Sequence, residues 1–208
     1  TERRSRMIDS IIFDVGNVLA GFDWVSYLNR QPFDEKTKKI LASAVFSHPD
    51  WVELDRGILS NEEIIRRFIR NAGGFEKEIR SMAATLGETV TLRSYAMDWI
   101  KDLKARGFSL YVLSNYGDLV YQTSSGQLPF LELMDGVFFS WQHQLIKPAP
   151  AFYQKLLDTF RIQPEQAVFL DDRQENLEGA ASLGIHTILF QKYEQASQDL
   201  EDLLHMTI

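Results

Sequence analysis

The sequence predicts an α/β fold: a doubly wound parallel sheet with a small all-helical unit inserted after the first strand. Three observations predict it. Short apolar runs bounded by turn residues recur at 10–15, 108–113, 136–139, 167–170 and 185–190, as suits strands covered on both faces. Helical patterns separate the later runs, so strand and helix alternate. The alternation breaks once, between residues 22 and 89, where every pattern is helical.

The first strand, SIIFDV over 10–15, ends in a charge followed by a glycine. Helical patterns then run over 24–29, 34–46, 61–71 and 75–86. Asn61, Glu62 and Glu63 read as an N-cap followed by first-turn acids, and Asn71 with Gly73 and Gly74 as a stop. An all-helical insertion of this length is not an ordinary crossover. It reads as a cap over the sheet's active edge, with 21–89 the cap and 7–20 plus 90–208 the Rossmann-like core. Beyond it, the helix over 93–106 places Ala96, Ile100 and Leu103 on one face and stops at Gly107. The helix over 150–160 opens on Pro150, which a first turn tolerates, and the one over 175–183 ends before Gly184. Crossovers between parallel strands are right-handed.

The 208 residues, 45% of them hydrophobic, suffice for one sizeable core or a core with a small satellite. Lys and Arg number 22 against 29 Asp and Glu, a net charge of -7, which argues against nucleic acid as the partner. A locally basic pocket for a small phosphorylated metabolite is compatible with that balance. The absence of cysteine excludes disulfides, thiolate-held metals and thiol catalysis. No run is long and apolar enough to span a bilayer, and no apolar signal core follows the polar, basic residues 1–6. The expectation is a cytoplasmic protein without a membrane partner, monomeric or a weak homodimer.

In a parallel sheet, ligands bind outside the carboxyl ends of the strands, near the switch in strand order. The predicted strands end at Asp14, at Ser114-Asn115, at Ser140 with Lys147-Pro148 beyond it, and at Asp171-Asp172. A carboxylate, a hydroxyl, an ammonium and an acidic pair on one rim are the parts of phosphoryl transfer. A divalent cation and a lysine offset the repulsion between an anionic nucleophile and a phosphate dianion. Magnesium takes hard oxygen ligands and needs no dedicated cage. A carboxylate can attack to give an aspartyl-phosphate, splitting one hard step into two.

Four segments carry a resemblance. Phe13-Asp14-Val15-Gly16-Asn17-Val18-Leu19, Leu113-Ser114-Asn115, Lys147-Pro148-Ala149-Pro150 and Phe169-Leu170-Asp171-Asp172-Arg173-Gln174-Glu175-Asn176 resemble, in order, the four motifs of the haloacid dehalogenase superfamily. Glu53-Leu54-Asp55-Arg56-Gly57 is similar to a pattern of relatives with helical caps. The resemblance implies a magnesium-dependent phosphatase with Asp14 as nucleophile and metal ligand. Gly16 would offer its carbonyl to the metal, Asp172 would bind it directly, and Asp171 directly or through water. Ser114, Asn115 and Asn17 would hold the phosphoryl oxygens, Lys147 would bridge Asp14 and phosphate, and Asn176 would support the metal ligands.

One departure stands out. Most phosphatases of that family carry an aspartate two residues after the nucleophile, as general acid and base; here that residue is Gly16. A sugar 1-phosphate, whose anomeric oxygen leaves readily, suffers least from the loss. The Asp-x-Gly-Asn-Val pattern also resembles a branch that includes glucose-1-phosphate phosphatases, so a hexose 1-phosphate is the expected substrate. Two alternatives are a 2-haloacid dehalogenase, which needs no metal, and a non-catalytic binding or regulatory protein. His186 reads as structural and His143 as a solvated loop residue, with an approach to substrate as its alternative; Trp51, Tyr116 and Trp141 are possible pocket residues. The break at Ser47-His48-Pro49 suggests a lid in which His48 and Trp51 face the substrate.

Overall fold

The computed structural model describes residues 8–124 and 126–206; the basic segment 1–6 lies outside them. Strand β1 (Ser10–Phe13) is followed by β2 (Ala20–Phe22). The helices α1 (Trp24–Asn29), α2 (Glu35–Leu41), α3 (Asp50–Arg56), α4 (Asn61–Asn71) and α5 (Glu76–Thr85) come next. The chain then alternates through β3 (Val90–Leu92), α6 (Ala96–Ala105), β4 (Ser109–Ser114), α7 (Asp118–Thr123), β5 (Gly136–Phe139), α8 (Ser140–His143), α9 (Pro150–Phe160), β6 (Ala167–Asp171), α10 (Gln174–Ala181), β7 (His186–Leu189) and α11 (Tyr193–Met206).

Five strands form one parallel sheet in the order β5-β4-β1-β6-β7. The chain fills one side of β1 with β4 and β5, then the other with β6 and β7. The switch in strand order therefore lies over β1. Alternate residues of the strands serve two apolar layers. Ile11, Phe13, Leu110 and Val112 pack with Trp99, Ile100 and Leu103 of α6 and Ala196 and Leu200 of α11. Ile12, Tyr111 and Leu113 pack with Phe152 and Leu156 of α9 and Leu177 and Ala180 of α10. Both faces are covered, which is why the strands read as continuous apolar runs.

The helical insertion departs from expectation in several details, the first being a helix, α3, over residues 50–56 where none was expected. Residues 34–46 do not form one helix: α2 ends at Leu41 and passes into a π-helical turn, Ala42–Phe46. The cap of α4 is Ser60, one residue before Asn61. Its hydroxyl accepts from the Glu63 N–H while the Glu63 carboxylate accepts from the Ser60 N–H at 2.8 Å, a reciprocal capping box. Finally, β2 pairs antiparallel with β3 as a two-stranded ribbon, so the chain enters and leaves the helices side by side. Strand β2 crosses the boundary expected at 20/21, and β3 begins at the one expected at 89/90. Among the described residues, no helix is long and apolar enough to cross a membrane.

Candidate active site

The carboxyl ends of β1, β4 and β6 lie side by side, and the residues that follow them line one cavity of about 450 Å³. Asp14 stands directly after β1, where its backbone N–H continues the ladder to the Leu170 carbonyl at 3.0 Å. Its Oδ1 accepts from the Val15 N–H at 2.8 Å and faces Lys147 Nζ at 2.9 Å. The same ammonium lies 2.6 Å from Asp171 Oδ2. Lys147 is 3% exposed and Asp171 fully buried, so this ion pair is screened from solvent and its geometry is fixed by packing.

Each member has its own supports. Asn176 Nδ2 donates to both Asp171 oxygens at 3.1 Å, and the Arg173 N–H donates to Oδ1 at 2.8 Å. Asn17 Nδ2 reaches Asp172 Oδ2 at 3.3 Å, and Asn17 holds a positive φ of 60° to do so. Asn115 spans the main chain of Lys147: its Oδ1 accepts from the Lys147 N–H at 2.8 Å and its Nδ2 donates to the Lys147 carbonyl at 3.1 Å. Its amide thus fixes the loop that carries the lysine, and only its remaining N–H is available to a ligand. Ser114, buried at the end of β4, lies beside Asp14. Gly16 also lines the cavity.

The electrostatics follow from charge count and burial. Burial raises the Asp14 carboxyl to about 7, against the pull of Lys147 and with the push of Asp171. Asp172 is raised by burial and by Asp171. Burial penalises the Lys147 ammonium, yet Asp14 and Asp171 outweigh it and hold its pKa above the usual lysine value. Three carboxylates with ligand oxygens within 4.8 Å of one another share this one ammonium. A divalent cation with a preference for oxygen would relieve the excess negative charge, and the donor set suits magnesium in type.

Several expected neighbours lie elsewhere. Ser140 is fully buried outside the cavity: its Oγ accepts from the Tyr116 N–H at 2.9 Å and donates to the Asp55 carbonyl at 2.5 Å. His48 does not face substrate. Its Nδ1 accepts from the Asp50 N–H at 3.1 Å and so shapes the entry to α3. Trp51, by contrast, does line the cavity, packed between Phe22 and Phe46 at ring distances of 5.6 and 5.4 Å. Tyr116 lines it as well, whereas Trp141 does not. His143 stacks on Phe138 at 3.9 Å, and burial lowers its pKa. His186 is exposed at the start of β7.

One lining residue had been given no role from the sequence. Asp55, in the last turn of α3, lines the cavity from the helical insertion, close enough to Lys147 and Asp14 to feel their charges. Its only sequence signal was its place in Glu53-Leu54-Asp55-Arg56-Gly57; the approach to Asp14 is made by folding alone.

The fold and the site define a class of protein. The chain belongs to the haloacid dehalogenase-like hydrolases, whose family model matches residues 8–184. It is 31% identical over 216 residues to acyl-CoA dehydrogenase family member 10 of Mus musculus, covering 98% of this chain but only 20% of that protein's length. It is 26% identical over 214 residues to the D-ribitol-5-phosphate phosphatase of Bacteroides thetaiotaomicron, covering 96% of this chain and all of that one. Among solved structures, it superposes on a HAD family enzyme of Bacteroides thetaiotaomicron in complex with magnesium and inorganic phosphate. The TM-score is 0.74 at 20% identity, over 90% of this chain and 98% of that one.

Proposed function

We propose that the chain is a magnesium-dependent phosphatase that hydrolyses small phosphate monoesters, with sugar and sugar-alcohol phosphates the favoured class. The observation that carries the reading is the meeting of Asp14, Lys147, Asp171 and Asp172 at the carboxyl edge of adjacent strands. Asp14 is the nucleophile. Attack of its carboxylate on phosphorus expels the ester oxygen and leaves an aspartyl-phosphate, which water then hydrolyses. Lys147 fixes the Asp14 carboxylate and offsets the charge of the incoming phosphoryl group. Ser114 and the remaining N–H of Asn115 supply hydrogen bonds to its oxygens.

Asp14 and Asp172, with the Gly16 carbonyl, are assigned to hold the metal. Asp171 already accepts from Lys147, Arg173 and Asn176, so it contributes charge and reaches the metal directly or through water. When bound, the metal supplies neutralisation of phosphoryl charge. The relatives point the same way: the D-ribitol-5-phosphate phosphatase of Bacteroides thetaiotaomicron aligns over its whole length, and the superposed enzyme of that organism was solved with magnesium and phosphate. A dehalogenase would also use an aspartate nucleophile, but it attacks carbon without a metal and has no use for the acidic pair Asp171-Asp172.

The test is a magnesium-dependent screen of phosphorylated metabolites with wild type and Asp14→Asn. Phosphate release from at least one sugar or polyol phosphate is expected. It should fall by at least about a thousandfold in the variant, as for loss of a covalent nucleophile. Turnover that persists under full chelation would sink the reading.

A further inference from the structure

We propose that Asp55, on the cap helix α3, is the proton carrier of this reaction. Its carboxyl protonates the leaving oxygen, and its carboxylate then takes a proton from the attacking water. The inference rests on the phosphatase reading and deepens it.

The residue that relatives place two positions after the nucleophile is here Gly16, which has no proton to give. In-line displacement sets where a substitute must stand. Asp14 attacks from the sheet edge, so the leaving oxygen departs on the far side of phosphorus. Away from the sheet edge that carries Asp14, the cavity lining includes Trp51, Val52 and Asp55 of α3. Among the described residues, six ionisable side chains line the cavity: Asp14, Asp55, Tyr116, Lys147, Asp172 and Arg173. Asp14, Lys147 and Asp172 belong to the nucleophile and charge cluster. Arg173 pairs with Glu175 and does not release its proton. Tyr116 shares a hydrogen bond with Ser124 at 2.8 Å, and burial pushes its pKa up to about 12. Asp55 remains, and among the described residues nothing hydrogen-bonds or ion-pairs with its carboxyl.

Its place is fixed by the backbone on either side. The Asp55 carbonyl accepts from Ser140 Oγ at 2.5 Å. Leu54 packs on Gly117, where an added Cβ would lie 2.5 Å from Leu54 Cγ. Gly57 takes a positive φ of 70° against the Trp141 carbonyl, with no room for a side chain. These contacts pin the last turn of α3 to the core loops after β4 and β5. A catalytic group on a mobile lid would lack such fixings. Burial also raises the Asp55 carboxyl to about 7, against the pull of Lys147 and with the push of Asp14, which suits exchange in both directions near neutrality.

The steps balance. An Asp14 oxygen bonds to phosphorus as the bond from phosphorus to the ester oxygen breaks. The electron pair leaves on that oxygen, which takes the Asp55 proton and departs as the alcohol. Water then attacks phosphorus, the bond to Asp14 breaks, and the proton lost by water returns to Asp55. Ester and water become alcohol and inorganic phosphate. With a proton carrier in place, the reason to restrict substrates to anomeric leaving groups lapses.

The experiment measures single-turnover formation of the aspartyl-phosphate in magnesium, with wild type and Asp55→Asn. The substrates are p-nitrophenyl phosphate and an alkyl phosphate that wild type hydrolyses. The alkyl ester should react about a hundredfold or more slowly in the variant, and the aryl ester less than tenfold more slowly, because nitrophenolate needs little protonation. Equal losses on both esters, or none on either, would overturn the proposal. If Asp55→Asn does not fold, Asp55→Glu gives the same comparison with the acid displaced by one methylene. A steeper dependence on the leaving group then supports the role and a parallel one refutes it. Asp14-dependent hydrolysis that ignores Asp55 sinks this proposal alone, whereas absence of any Asp14-dependent hydrolysis sinks the phosphatase reading with it.

Discussion

Asp14 stands among more negative charge than its one cationic neighbour offsets. Lys147 is shared between Asp14 and Asp171, and Asp172 adds a third carboxylate to the cluster. Such a site is held against the preference of its own charges, the usual cost of a preorganised centre. The charge excess has a measurable consequence in the metal-free protein. Asp14→Asn keeps the shape and removes one charge, so it should melt a few degrees higher than wild type, a gain of about 1–2 kcal/mol. Magnesium binds the folded state and not the unfolded one. At about a hundredfold over its dissociation constant it should raise wild-type stability by about 2.7 kcal/mol. Asp172→Asn should lose most of that rise, and EDTA should reverse it. Differential scanning calorimetry reads both, and equal magnesium shifts in wild type and Asp172→Asn would remove Asp172 from the metal site. At this scale the sequence was informative because strand ends place Asp14, Ser114 and Asp171 by local rules. It offered Asn115 only as a phosphate ligand, not as the amide that grips the main chain of Lys147 across a loop, and it gave no role to Asp55, whose relevance exists only once α3 joins the cavity.

Within the helical insertion, α3 contributes Trp51, Val52 and Asp55 to the cavity lining. Its first turn is tied into the cap by Asp50, whose Oδ2 accepts from Asn71 at 2.8 Å and whose Oδ1 pairs with Arg67 at 3.1 Å. These contacts, the Asn71 hydrogen bond first, hold the Asp50 carboxyl below the usual carboxylate value. A depressed carboxyl contributes stability that is present above its unfolded pKa and is lost as pH falls through the folded one. Asp50→Asn should therefore cost about 1–2 kcal/mol near pH 7, as for a charged hydrogen bond left unmade. The gap should close as pH falls below 3.8, the ordinary value of an aspartate carboxyl. A gap that stays constant from pH 7 to pH 3 in urea unfolding would show that Asp50 does not act through its charge. The helical patterns expected at 24–29 and 61–71 match α1 and α4 because their apolar residues recur at helical spacing, but no helix was expected over 50–56, where α3 stands. The π turn at Ala42–Phe46 was not legible, since an apolar stripe does not reveal a local change of pitch. Nor was the true job of His48, which shapes the start of α3 and leaves the cavity to Trp51.

For the whole molecule, the question is whether cap and core behave as one body. The sequence suggested two units, and the ribbon that joins them escaped notice because β2 and β3 are three residues each and Gly21 interrupts the apolar pattern. Pairing between Ala20 and Leu92 is a long-range event that local periodicity does not encode. The apolar core crosses this junction without a break. Tyr27, Leu41, Ile64, Phe68 and Met82 of the helical insertion belong to the same buried cluster as Phe13, Trp99 and Leu200 of the sheet layer. The Tyr27 hydroxyl, donating to the Met82 carbonyl at 3.0 Å, closes the insertion on itself. Shared burial couples the unfolding of its parts, so cap and core should melt in a single transition with equal calorimetric and van't Hoff enthalpies. Two variants far apart test the coupling. Leu200→Ala, in α11 beneath the sheet, should cost about 2–5 kcal/mol as a cavity in a packed core. Asp50→Asn, in the cap, should cost less. If the molecule is one cooperative body, each substitution displaces the whole transition, and circular dichroism and tryptophan fluorescence shift together. If Asp50→Asn instead splits off an early transition that Leu200→Ala leaves in place, the cap opens on its own. The pinning of Asp55 over Asp14 would then be a property of the closed state alone.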